Sequence, residues 1–151
     1  MQNMEKPAYS YWKRPWIKWG LLVGGISELL LLWANIRNYR LFAGSGLFTA
    51  AQWAELGADL AAKCAVNGVL ACCLLGSFLV GSLAGSERAA WLAQGVLLLL
   101  MALGLGAAGL GLGLFSASKR GAFFLAIFLL CLGGAVHDLW KYRAMQEGNR
   151  G

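Results

Sequence analysis

The stretch AAWLAQGVLLLLMALGLGAAGLGLGLF, residues 89–115, decides the fold, because it runs from end to end without one ionisable side chain. A helix needs about 20 apolar residues to cross the roughly 30 Å of hydrocarbon in a bilayer, and this segment supplies them. Working outward, three further runs of the same kind appear, at residues 57–84 before it, 121–139 after it and 19–36 nearest the N-terminus. A backbone in lipid must satisfy its own hydrogen bonds, which only helices and closed barrels achieve. Barrel strands alternate apolar and polar residues, and continuous apolar runs do not. The sequence therefore reads as all-α: a transmembrane four-helix up-and-down bundle, forming a single integral membrane domain over residues 1–151.

Composition agrees. The chain is 59% hydrophobic and 13% charged, where soluble domains carry about a quarter charged residues. The net charge of +6 raises the question of nucleic acid. The basic residues stand beside the ends of the apolar runs rather than along one polar face, so the partner they imply is membrane lipid and not nucleic acid.

The same residues orient the chain, since Lys and Arg accumulate on the cytoplasmic side. Lys6, Lys13, Arg14, Lys18, Arg88, Lys141, Arg143 and Arg150 fall on one side. Arg37, Arg40, Lys119 and Arg120, with Lys63 inside the second run, fall on the other. Eight against five predicts that both termini are cytoplasmic. A plasma membrane or endomembrane is the setting this topology favours. Trp12, Lys13, Arg14, Trp16, Lys18 and Trp19 interleave rings and cations, the chemistry of an interfacial anchor. The run that follows is too long for a signal-peptide core, so it reads as a retained first span.

Residues 37–56 form the longest predicted loop, with many apolar residues for a loop: Leu41, Phe42, Leu47, Phe48, Trp53 and Leu56. Such a segment is expected to lie on the membrane surface or to fold over the bundle. Thr49 and Gln52 have capping-box spacing, which starts a helix near Ala50. Carried on to Ala84, that helix covers about 35 residues and roughly 50 Å, so its first turns project beyond the bilayer. The connections at residues 85–88 and 116–120 are short, making spans two, three and four antiparallel neighbours with span one alongside. Gly85 is a natural stop, and Ser86 with Glu87 suits the next helix start.

Helices in lipid associate through close backbone approach, which small residues permit. Gly20 with Gly24, Gly81 with Gly85, and Gly109 with Gly113 lie four apart and are the expected packing positions. Their partner is a helix of the same bundle, another membrane protein or a second copy of the chain.

Ionisable groups at membrane depth are costly, and so point to function. Glu28 lies in mid-span one, and Lys63 and Asn67 share a face of span two. Counted inward from the ends of the apolar runs, their depths match to within about 5 Å. The expectation is that Glu28 faces span two and meets Lys63 or Asn67, as a pair fixing helix register; a ligand site or proton path is the alternative. Gln94 is placed to bond across helices, and His137 with Asp138 falls at an interface. Cys64, Cys72, Cys73 and Cys131 all lie within spans and read as packing residues. One histidine cannot build paired haem ligation or a His-rich metal centre, so no catalytic residue, metal or cofactor is assigned.

With four spans, a first exterior loop, Trp33 near the end of span one and Ser45-Gly46-Leu47-Phe48 in that loop, the chain resembles the claudin and peripheral-myelin-protein group. Phe48 stands where that group's Gly-Leu-Trp signature has tryptophan. The resemblance implies a non-enzymatic accessory, scaffolding or regulatory subunit. Lys63 and Asn67 are also similar to an Arg-x-x-x-Asn segment of small four-span glutathione and eicosanoid enzymes, with Leu70 where an acidic residue is expected. That likeness implies the alternative of a membrane enzyme, and a small transporter using Glu28 and Lys63 is another.

Overall fold

The computed structural model describes residues 14–115 and 119–148. They form four helices in the order α1 Pro15–Ala43, α2 Ala50–Leu83, α3 Glu87–Gly111 and α4 Lys119–Gly148, with no strand among the described residues. All four are long and apolar enough to cross a membrane.

α1 begins where Pro15 supplies the fixed φ that a first helical residue wants, after Arg14 in an extended conformation. It does not stop at Ile36. Arg37, Asn38, Tyr39 and Arg40 continue it, because a charge ends an apolar run without ending a helix, and arginine is a good helix former. Gly44, Ser45 and Gly46 end it: the Ser45 hydroxyl donates to the Phe42 carbonyl at 2.7 Å, and Gly46 turns the chain at φ 64°. Most of the expected loop at residues 37–56 is therefore helix, and the connection is residues 44–49 alone.

α2 starts where its cap predicts. The Gln52 N–H donates to Thr49 Oγ1 at 3.4 Å, and the Thr49 N–H donates to Gln52 Oε1 at 2.9 Å. At 34 residues the helix is about 51 Å long. It exceeds the hydrocarbon thickness, as does α1, and their overhanging ends are joined by rings. Tyr39 meets Trp53 edge-on at 5.6 Å, and Phe48 lies between Phe42 (6.2 Å) and Trp53 (5.2 Å). This cluster accounts for much of the apolar character of the segment.

Only residues 84–86 separate α2 from α3, and Ser86 Oγ accepts the Ala89 N–H at 3.2 Å to cap the new helix. α3 ends in a Schellman motif. Gly113 takes φ 62°, the Leu114 N–H donates to the Gly109 carbonyl at 2.8 Å, and the Gly113 N–H donates to Leu110 at 3.4 Å. α4 runs far beyond the apolar segment, carrying Trp140, Lys141, Tyr142 and Arg143 on helix to Gly148.

The core lies between α2, α3 and α4. Ala62 and Val66 meet Ala102 and Leu105, with Leu114, Phe124 and Cys131 closing the cluster. Phe115 folds back, edge-on to Phe124 at 5.4 Å and Phe128 at 5.8 Å. α1 supplies none of these residues and among the described residues packs on α2 alone. Besides the rings, Gly24 and Gly25 let it approach closely, where a Cβ would lie 3.3 Å from Leu74 and 2.5 Å from Leu75.

Candidate functional site

At the end of the bundle that carries the 44–49 connection, the third turn of α2 presents Asp59. Its Oδ2 is 2.7 Å from Lys63 Nζ, one turn further along the same helix, and its Oδ1 is 3.2 Å from Arg120 Nε on the first turn of α4. The acidic residue precedes the basic one by four, the favourable order on a helix. The protein covers these side chains only in part, leaving 33% of Asp59, 56% of Lys63 and 39% of Arg120 exposed.

Three cavities meet on Asp59. One lies towards the α1–α2 connection, lined by Phe48, Gln52, Glu55, Leu56 and Arg120. A second lies between α1 and α2, with Asn35, Asn38, Tyr39 and Lys63 on its walls. The third descends between α2 and α4, from Lys63 and Arg120 past Phe123 and Phe124 to Asn67. α2 and α4 touch only slightly, which is why this last cleft stays open.

The expected meeting of Glu28 with Lys63 or Asn67 is not formed. Lys63 is held by Asp59 of its own helix. Glu28 follows Gly24 by four residues and so shares the α2-facing side, yet the contact of Gly25 with Leu75 sets it near the level of Ala71. Lys63 is then eight residues away, about 12 Å along the axis. Half-buried, Glu28 makes no hydrogen bond or ion pair among the described residues. Counting from the ends of apolar runs misplaced the register, because the glycine notch and the aromatic cluster set it.

Of the expected packing glycines, Gly24 faces α2 and Gly81 is buried near the end of α2. Gly20 and Gly85 have open space where a Cβ would be. Gly109 lies under the Phe115 ring of its own connection, and Gly113 is the left-handed stop of α3, so this pair shapes a helix end rather than a helix-helix seam. The seams use Gly76 against Leu97, Gly95 against Leu139 and Gly134 against Leu98, none of which a four-residue spacing reveals. Within the interfacial anchor, Trp16 and Trp19 are 65% exposed, Lys18 is half-buried and Arg14 precedes the helix; Trp12 and Lys13 lie outside the described residues.

A second polar group lies toward the other end. Gln94 Nε2 donates to Ser77 Oγ at 2.7 Å, joining α3 to α2, and both residues are buried. Gln94 Oε1 is buried with no hydrogen-bond partner among the described residues. His137 Nδ1 is 2.9 Å from the buried Asp138 carboxylate, and the ring lies edge-on to Trp91. The four cysteines are free thiols.

Comparison of the chain with family models, with curated proteins and with solved structures returns no match in any of the three.

Proposed function

We propose that the chain is a non-enzymatic, multi-pass membrane protein with both termini cytoplasmic, acting as an accessory, scaffolding or regulatory subunit through lateral helix packing. The observation that carries this reading is the position of α1, which among the described residues leans on α2 alone and leaves the rest of its circumference uncovered by α3 and α4. In lipid, helices pair where small residues let backbones approach, and the outer side of α3 offers such a ridge in Gly104 and Gly111, each with open space around it. The partner is another membrane protein or a second copy. Kinship with the claudin and peripheral-myelin-protein group, through Trp33 and Ser45 to Phe48, would fit the same role.

The test is a pull-down in mild detergent comparing wild type with Gly104→Leu/Gly111→Leu. A Cβ added at either position would have no atom of another helix within 4 Å among the described residues, so the variant should keep its melting temperature. The reading requires loss of a stoichiometric partner or of self-association. Identical complexes from both proteins would refute it, and thiol conjugation by the purified chain would favour the enzyme.

A further inference from the structure

From the cleft between α2 and α4, and independently of the lateral-packing reading, we infer that the chain binds one anionic phospholipid, its phosphate seated on Lys63 and Arg120 and its glycerol esters beside Asn67. Two cations share the single carboxylate of Asp59, and Glu55, one turn back on α2 and lining the neighbouring cavity with Arg120, forms no ion pair with either among the described residues. Donors are in surplus: Asp59 takes the Nε of Arg120 and one ammonium hydrogen of Lys63, leaving both terminal guanidinium nitrogens without a partner among the described residues. That is the donor set a phosphate oxygen group accepts from.

The walls below the mouth select the carrier of the phosphate. Asn67 lies four residues beyond Lys63, about 6 Å deeper along α2, and its side chain makes no hydrogen bond among the described residues. The glycerol esters of a phospholipid hang a few bonds below its phosphate, within reach of that amide. Phe123, Phe124 and Val66 line the same cleft and offer an acyl chain apolar contact. At about 220 Å³ the cleft is smaller than the roughly 300 to 1,000 Å³ of a site that encloses a whole small molecule. It fits a headgroup and upper chain whose remainder stays in the bilayer. An inorganic anion would use the mouth and leave Asn67 and the aromatic wall idle.

The experiment is native mass spectrometry of the full chain from neutral detergent, with phosphatidylglycerol or phosphatidylcholine of identical acyl chains added. Wild type should retain one phosphatidylglycerol per chain in preference to phosphatidylcholine. Lys63→Gln or Arg120→Gln should each lower its occupancy roughly fivefold, and the double variant roughly thirtyfold. Lys141→Gln, at the other end of the bundle, should leave occupancy unchanged. Asn67→Leu should weaken retention while preserving the preference for the anionic headgroup. Should a charge variant fail to fold, wild type alone decides: phosphatidylglycerol must raise its melting temperature more than phosphatidylcholine does, and excess inorganic phosphate must not reverse the rise. Equal retention of the two lipids, full retention by a folded double variant, or displacement by inorganic phosphate would each overturn the inference.

Discussion

Ser77 and Gln94 share one buried hydrogen bond, yet the two ends should respond unequally when cut. Replacing Ser77 with alanine removes the acceptor and strands the Gln94 amide, whose Oε1 already lacks a partner among the described residues. A buried amide donor left unpaired costs about 1 to 3 kcal/mol. Replacing Gln94 with leucine loses the same bond, which between membrane helices averages about 0.6 kcal/mol. It also removes the unpaired oxygen, and the Ser77 hydroxyl can turn to the Cys73 carbonyl one turn back on its own helix. Ser77→Ala should therefore cost about 1 to 2 kcal/mol and Gln94→Leu under about 0.5 kcal/mol, with the double variant matching Gln94→Leu. Reversible unfolding in mixed micelles, followed by circular dichroism, measures all three. A Gln94→Leu protein at least as damaged as Ser77→Ala would refute the reasoning, since it would mean that the glutamine carries more than this bond.

Other substitutions test the helix ends and the isolated acid. Thr49→Ala should cost about 1 kcal/mol by removing the α2 cap, and should speed hydrogen exchange at the Gln52 amide before any other site in α2. Gly113→Leu should cost about 1 to 2 kcal/mol, because a side chain must adopt φ 62°, whereas Gly20→Leu, with nothing within 4 Å, should leave the unfolding midpoint where it is. Glu28→Gln should hold or raise the melting temperature, since it neutralises a half-buried carboxylate that has no partner among the described residues; a lower one would reveal a role for the charge.

How much the sequence disclosed depended on whether a signal was local. The capping box at Thr49 and Gln52 located the start of α2 to the residue, because it is written in adjacent positions. Hydropathy located the apolar segments of all four helices but not the ends of α1 and α4: Arg37 to Arg40 and Lys141 to Arg143 lie outside an apolar run and inside a helix. At the site, the spacing of Asp59 and Lys63 was legible as an i,i+4 pair and would have warned that the lysine was already engaged. Arg120 was not legible as a partner, because only tertiary packing brings the first turn of α4 to α2. Spacing found Gly24 but passed over Gly25, Gly95 and Gly134, since what makes a glycine a contact is the leucine opposite, on another helix.

The solitary contact of α1 divides the molecule into unequal partners joined through α2. Harm done to α1 passes inward only through α2, across the glycine notch and the Tyr39–Trp53 rings, while the Phe124 and Leu105 core draws no residue from α1. Mutational damage on α1 and on α3 or α4 should accordingly accumulate without epistasis, and α2, which serves both halves, is where tolerance to change should be lowest.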